Sequence, residues 1–303
     1  MDAPPRALEP ADATGVAFDA SVGGAGTPPR RRRRRNGVTF WLAMGWLTIV
    51  VVCAAFADLL PVADPLLPDV AGNLAGPSVD SPLGTDGLGR DNLARLVHGA
   101  QVSIVISVVA VGIGMVVGGT LGMAVGYFRG RFETISMAVI DVILAFPGLV
   151  LLLALLAYVG RSLSIIAMVI GFLSIPIYTR VARANTLAVA QREFVRAART
   201  MGAGDARILA REIMPNVILP IAAFGLVAMG VVIVLEGTLA FLGLSVEQPN
   251  PTWGGMIFDG RRYLDDTPLA VAIPSLVMFL TVLSLNFVGD NLRSRFDVRQ
   301  SNL

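Results

Sequence analysis

Residues 100–126 read AQVSIVISVVAVGIGMVVGGTLGMAVG, an apolar run without a single charged side chain. A helix rises about 1.5 Å per residue, so about 20 such residues cross the ~30 Å hydrocarbon layer of a membrane. Gly114, Gly118, Gly122 and Gly126 recur at every fourth position and share one helical face. Glycine there lets another backbone approach closely. The stretch predicts a transmembrane helix packed tightly within its bundle or against a partner subunit.

The rest of the chain has the same apolar character. Its 303 residues are 54% hydrophobic and only 15% charged, with a mean hydropathy of +0.70, whereas soluble domains carry about 25% charged residues. Five further runs are long enough to cross a membrane: 38–60, 134–157, 163–184, 216–237 and 269–289. The sequence therefore predicts an all-α integral membrane protein with six transmembrane helices.

The distribution of arginine orients these helices. Residues 1–36 form a tail poor in large apolar side chains, which predicts disorder, and the tail ends in an arginine run at 30–35. Six crossings place both termini on one side. With this run in the cytosol, 19 of the 24 arginines lie in cytosolic segments or at the cytosolic end of the fourth crossing, as the positive-inside rule requires. Both termini are therefore predicted to be cytosolic, with anionic membrane lipid beside the basic tail and no nucleic-acid partner.

The composition excludes several kinds of chemistry. All 24 basic residues counted as Lys+Arg are arginines, so the chain has no lysine for a phosphate-binding loop. One histidine, His98, and one cysteine, Cys53, are too few for a Cys/His zinc site or a disulfide, and they offer no plausible catalytic pair. No catalytic residue and no metal site are predicted, and the composition favours transport over catalysis.

The loop between the fourth and fifth predicted crossings is polar, and residues 191–216 read QREFVRAARTMGAGDARILAREIMPN. Gly202 and Gly204 should end a short helix there, and Asp205 suits the N-cap of the next one. The candidate residues of this loop are Glu193, Arg196, Ala197, Ala198, Arg199, Met201, Gly202, Ala203 and Asp205. Such a helix could fit a groove on a cytosolic partner, or it could lie on the membrane with its arginines at lipid phosphates.

Two acidic residues fall within predicted crossings, where ionisable groups often have a function. Asp141 could face the translocation pathway, although pairing with a cytosol-edge arginine such as Arg131 is favoured. Glu236 lies near the outer mouth, where it could meet the amino group of a substrate or fix the loop that begins at Gly237. Trp253 could anchor the following loop as an aromatic belt residue.

Several motifs resemble one family of transporters. Ala197–Ala198, Gly202 and Ile213–Met214–Pro215 resemble the cytosolic EAA loop in permease subunits of binding-protein-dependent ABC importers, with Arg196 at the usual Glu position and Met214 at a usual Leu. The segments SPLGTDGLGRD at 81–91, LAFLGLSVEQPNPTWG at 239–254 and NFVGDNLRSRFDVR at 286–299 resemble the dipeptide/oligopeptide (C-type) permeases of that class.

This resemblance implies a type I ABC importer permease fold in a bacterial cytoplasmic membrane. Its implied organisation is the tail 1–36, a first helix with an extracytoplasmic segment at 37–99, a core at 100–290 with a coupling loop at 185–215, and a cytosolic tail at 291–303. The implied partners are a homologous second permease, two ATPase subunits and an extracytoplasmic solute-binding protein. ATP and Mg²⁺ would be bound by the ATPase subunits, and this chain would hold no cofactor.

The resemblance also implies a cargo of di- or oligopeptides. Nickel or another small solute is the alternative within the same class. A secondary transporter or channel is the alternative from a different class, and it would require coupling-ion groups at the membrane midplane, where this sequence has few charges.

Overall fold

A computed structural model describes residues 37–69 and 72–300, with side chains to residue 294. The predicted disordered tail at 1–36, with its arginine run, lies outside the described residues. The α-helices are α1 Val38–Ala55, α2 Asn92–Ile113, α3 Gly119–Phe128, α4 Gly130–Ala145, α5 Gly148–Val159, α6 Leu163–Ala190, α7 Glu193–Thr200, α8 Asp205–Ile208, α9 Met214–Phe241, α10 Trp253–Gly260 and α11 Leu269–Gln300. Short π-helical segments at Gly114–Gly118 and Leu209–Ile213 join α2 to α3 and α8 to α9. The described part of the chain is helical and contains no strand, which confirms the all-α prediction.

Five helical stretches are long and apolar enough to cross a membrane: Val38–Ala55, Asn92–Phe128, Leu163–Ala190, Asp205–Phe241 and Leu269–Ser294. The second begins well before residue 100, where the apolar run starts. Its first turn is polar, and the Asp91 side chain caps it by accepting a hydrogen bond of 2.7 Å from the amide of Ala94. The hydrophobic run therefore marks the membrane segment, while the cap marks the true start of the helix.

The third predicted crossing, 134–157, is wrong as a single helix. Its residues are divided between α4 and α5, which meet at an angle of 82°. Phe146, at the break, is extended with ψ of 137°, the conformation that a following proline favours. Because Pro147 also lacks an amide hydrogen, it cannot continue the hydrogen-bond ladder of α4. The crossing is a bent pair, and counting it as one span gives six.

The central helix of the bundle is α6, which packs against α2, α3 and α9. The row of four glycines lies on this contact. Gly118 lies against the backbone of Ile175, Gly122 against the carbonyl of Thr179 and Gly126 against Arg183 and Thr186, so a Cβ atom at any of the three would overlap a neighbour. The glycine row therefore packs within the bundle.

The π-helical segment keeps the glycine row on one face. In a regular α-helix, each step of four residues overshoots a full turn by about 40°, so a period-four row drifts around the axis. A π-helix has more residues per turn than an α-helix. The same step of four residues therefore turns through a smaller angle. Because Gly114–Gly118 is π-helical, part of the drift is removed where the row begins, and Gly114 and Gly126 both contact α6.

A glycine pair tests this packing. We expect Gly122→Ala to destabilise the protein by about 1–3 kcal/mol, because its methyl group has no space against Thr179 and Ala182. Gly112→Ala is the matched control, since a Cβ at Gly112 meets nothing within 4 Å and alanine favours a helix by up to ~1 kcal/mol. Thermal unfolding in detergent should show a lower Tm only for Gly122→Ala, and equal values would contradict the packing role.

The orientation can be tested at two highly exposed positions. Val79, in the extracytoplasmic segment, is 98% exposed, and Met201, in the loop after α7, is 81% exposed. In a Cys53→Ala background, a membrane-impermeant thiol reagent should label Val79→Cys in intact spheroplasts. It should label Met201→Cys only after permeabilisation, with the chain expressed without partner subunits. The opposite pattern would invert the topology.

Candidate functional site

The cytosolic loop is built around the short helix α7. Gly202 has a φ of +82°, which glycine adopts without strain. The amide of Ala203 donates to the carbonyl of Ala198 and the amide of Gly202 donates to Arg199, both at 3.0 Å. These two bonds form the Schellman motif, which satisfies carbonyl groups at a helix end. The sequence prediction that Gly202 ends the helix is confirmed.

One face of α7 packs against its own bundle. Val195 and Ala198 are buried in the same core cluster as Ile208 and Ile213, and Ala203 packs against that cluster. Ala198 and Ala203, two of the predicted partner-facing residues, therefore face the bundle and hold the loop in place.

A second face of α7 is apolar and exposed. Phe194, Ala197 and Met201 are spaced by three and four residues, which places them on one side of the helix. All three are exposed. We call these three residues the apolar stripe. Its position at the tip of the loop suits contact with another protein.

The remaining predicted loop residues are also exposed. Glu193, Arg196, Arg199, Gly202 and Asp205 all lie at the surface of the described chain. Glu193 and Arg196 lie on the side of α7 that points away from the bundle, beside the apolar stripe. The stripe is therefore bordered by charged side chains.

Tyr127, at the end of α3, connects the two arms of the loop. Its hydroxyl donates to Asp205 Oδ1 at 2.6 Å and accepts from Arg199 Nη2 at 3.0 Å. The Arg199 guanidinium lies 5.5 Å from the centre of the Tyr127 ring, and the hydrogen bond raises the pKa of Arg199 above its ordinary value. Sequence reasoning missed Tyr127, because no local pattern links it to a loop more than 70 residues away.

The predicted capping role of Asp205 is wrong. Helix α8 begins at Asp205 itself, its N-cap is Gly204, and no side chain caps it. The Asp205 carboxylate instead accepts the Tyr127 hydroxyl, so this residue fixes the loop to α3.

Asp141 is ion-paired, but with a different arginine from the predicted Arg131. Its Oδ1 accepts from Arg180 Nη2 at 2.5 Å, which links α4 to α6. A second pair joins the same helices closer to the start of α4, where Arg183 Nε donates to Glu133 at 2.7 Å. Two ion pairs therefore connect α4 to the central helix.

Glu236 does not face an open pathway, so that prediction is wrong. The side chain is 1% exposed, near the end of α9. Its Oε1 accepts from Ser245 Oγ at 2.5 Å, and its other oxygen lies close to Gly254. Glu236 thus fixes the loop after α9, the other role that the sequence allowed.

The extracytoplasmic segment at 81–91 is an ordered loop centred on Asp86. One carboxylate oxygen accepts the amides of Leu88 and Arg90 at 2.9 Å. The other oxygen lies 2.7 Å from Arg90 Nε and 3.4 Å from Arg95 Nε. A carboxylate with several donors is firmly held, so this segment has a defined shape.

The second extracytoplasmic segment packs against the first. Trp253 is completely buried and donates from Nε1 to the carbonyl of Leu96 at 3.1 Å, so it is not an aromatic belt residue. Tyr263 lies against Gly87. A cavity of about 210 Å³ remains between the segments and is lined by Asp86, Arg95, Gln248, Asp259 and Tyr263, among others.

The Tyr127 contacts make a prediction about the loop. We expect Tyr127→Phe to speed amide hydrogen exchange in residues 199–206, because losing one exposed hydroxyl removes about 0.5–1.5 kcal/mol per hydrogen bond. Tyr158→Phe is the control, since Tyr158 is exposed and lies in α5, away from the loop. Unchanged exchange in Tyr127→Phe would show that the buried face of α7 alone holds the loop.

Comparisons with known proteins agree with this architecture. Residues 118–302 match the family described as binding-protein-dependent transport system inner membrane component. Over 222 residues, the chain is 38% identical to the glutathione transport system permease protein GsiD of Pectobacterium atrosepticum, covering 73% of this chain and 74% of the relative. It is 37% identical to GsiD of Escherichia coli O1:K1, with 73% of each covered.

A solved structure shares the fold. The MetNI methionine ABC transporter, in an inward-facing form, matches with a TM-score of 0.50 at 16% identity, covering 67% of this chain and 96% of the other. The family match extends over more than half of the chain, and the apolar helices make it a multi-pass protein of the bacterial inner membrane. The chain therefore belongs to the family of binding-protein-dependent transport system inner membrane components, the permease subunits of ABC importers.

Proposed function

We propose that this chain forms half of the translocation pathway of an ATP-driven importer for di- or oligopeptides. The cargo class is supported by the GsiD relatives, whose name specifies transport of glutathione, itself a tripeptide. The segments 81–91 and 239–254, which resemble peptide permeases, form the ordered extracytoplasmic surface at which a solute-binding protein would deliver its ligand.

The partners follow from what the chain contains and what it leaves exposed. It has no lysine for a phosphate-binding loop, so ATP and Mg²⁺ belong to two separate ATPase subunits. A homologous permease supplies the other half of the pathway, and an extracytoplasmic solute-binding protein supplies the cargo. The name of the family, binding-protein-dependent, supports that last partner.

The observation that best supports an ATP-driven importer is the apolar stripe on α7, which offers a contact surface for an ATPase subunit. It is exposed in this chain, whereas the neighbouring face of α7, with Val195 and Ala198, is buried in the bundle. An ATPase groove that covers the stripe can move α7, and through the Tyr127 contacts it can also move α3.

Coupling then works through differential affinity. The binding protein and ATP each favour one conformation of the permease pair, so the binding of either changes the equilibrium for the other. A channel or secondary transporter would need no such cytosolic surface. Nickel or another small solute stays an alternative cargo of the same machinery.

Reconstitution tests whether peptide is the cargo and whether ATP hydrolysis resides in the partner subunits. In liposomes, the chain alone should neither hydrolyse ATP nor move peptide. With a second permease, two ATPases and a binding protein, it should take up peptide in an ATP-dependent manner, and the liganded binding protein should stimulate hydrolysis. Solute flux through the isolated chain would favour a channel, and stimulation by nickel-loaded but not peptide-loaded binding protein would refute the peptide cargo.

A matched alanine pair tests the apolar stripe. We expect Ala197→Asp to lower ATP-dependent uptake by about tenfold or more, because a carboxylate in a covered apolar contact loses its hydration. Ala206→Asp is the control, since Ala206 is also exposed but lies in α8, outside the stripe. Equal uptake by the two variants, at equal amounts in the membrane, would show that the stripe does not contact the ATPase.

A further inference from the structure

An ion pair lies exposed on a membrane-spanning face of this chain. Asp141 and Arg180 are 2.5 Å apart, yet their side chains are 57% and 51% exposed. Asp141 belongs to the bent pair of α4 and α5, and Arg180 belongs to the span formed by α6. Nothing in the described part of this chain covers the pair.

The surface around the pair is apolar. On α4, Val139 and Val142 are exposed, Phe146 is exposed at the break after it, and Ile177 is exposed on α6. The buried side of α4 contains only Ile140. The ion pair therefore interrupts a face that otherwise has the composition of a membrane-embedded surface.

The position of Asp141 along its helix places it well inside this face. It lies seven residues after residue 134, where the apolar run of this crossing begins, or about 10 Å along the axis at 1.5 Å per residue. A charged side chain in contact with lipid costs about 2.5–3.5 kcal/mol at the centre of a membrane-spanning helix, and less nearer its ends. Charged residues in spans instead face the bundle interior or a water-filled cavity.

A dry protein contact is also unfavourable for this pair. Removing two charges from water costs several kcal/mol per ion, which their attraction offsets only when further hydrogen bonds satisfy both groups. In the described residues, Asp141 and Arg180 have each other as their only hydrogen-bonded partner. Water on this face is the environment that leaves both groups solvated.

We infer that the Asp141–Arg180 pair lines the aqueous route of the importer and contacts the charged termini of its cargo. This inference rests on the proposed peptide function. A peptide with free ends carries one ammonium and one carboxylate group, and the pair presents a carboxylate and a guanidinium side by side. The planar guanidinium of Arg180 can hold a carboxylate through two parallel hydrogen bonds.

The second ion pair on these helices provides the contrast. Glu133 and Arg183 are only 21% and 33% exposed, and Arg183 directs both Nε and Nη2 to one oxygen of Glu133. This pair has the geometry of a link between helices. It is therefore a matched control for a pair that meets solute.

Thiol labelling at a neighbouring position tests whether the face is aqueous. Ala138 is exposed one turn from Asp141, so Ala138→Cys in a Cys53→Ala background keeps the ion pair intact. In the reconstituted complex, we expect a charged thiol reagent to label it at least about tenfold faster than Ile49→Cys, which is exposed on the apolar helix α1. Labelling as slow as that of Ile49→Cys would overturn the inference and place the face against lipid or a second permease.

Protection by cargo tests the contact itself. Peptide-loaded binding protein with ATP should slow the labelling of Ala138→Cys, and adding Arg180→Gln should remove that protection. Adding Arg183→Gln should leave it in place in complexes that assemble normally. Protection that survives Arg180→Gln would refute the contact with Arg180.

These experiments can refute the peptide cargo and the aqueous face separately. If the wild-type complex takes up no peptide but Ala138→Cys is labelled rapidly, the aqueous route stands and the peptide cargo is wrong. If peptide is taken up while Ala138→Cys stays unlabelled, the proposed function stands and the assignment of this face is wrong.

Discussion

The close backbone contact between the glycine row and α6 fixes the geometry on which the other features depend. Gly118, Gly122 and Gly126 lie against the backbone of α6 between Ile175 and Arg183. Two helices that approach this closely cannot slide or rotate without overlap, since packed interiors leave few voids. The contact therefore sets the height and rotation of Arg180 and Arg183 relative to α3.

The same contact positions the cytosolic loop at both of its ends. Tyr127 follows Gly126 directly, so the register of the glycine row determines where its hydroxyl meets Arg199 and Asp205. Helix α6 leads into α7 after Ala190. A force applied to the apolar stripe thus reaches α3 and α6 together, through one rigid contact.

The sequence predicted the features that depend on local composition. Long apolar runs predicted the membrane spans, and Gly202 predicted the end of α7, because both features depend on residues that are neighbours in the sequence. Features set by tertiary packing were missed. Helical periodicity could not separate the outward Ala197 from the inward Ala198, since both are small, and the burial of Glu236 depends on Ser245 in a loop that returns to the end of α9.

Pro147 is a local sequence signal for the break between α4 and α5, but it does not determine the angle between the two helices. A proline within an apolar run indicates a break, but the 82° angle between α4 and α5 depends on how each half packs. The partner of Asp141 was equally non-local. Arg131 is close in sequence, yet Arg180 is the residue that the antiparallel packing of α6 brings within hydrogen-bonding distance.

The weakly packed half of the bent pair is α4, since α5 buries Leu152 and Leu156 in the core. Helix α4 buries only Ile140 and is joined to α6 by two ion pairs, whereas α2, α3 and α9 are joined to α6 by apolar packing. Segments with few buried apolar contacts open at the lowest free energy. Ion pairs in contact with water contribute little net stability and exchange partners readily. The helix that borders the exposed Asp141–Arg180 face can thus move independently of the close contact between the glycine row and α6.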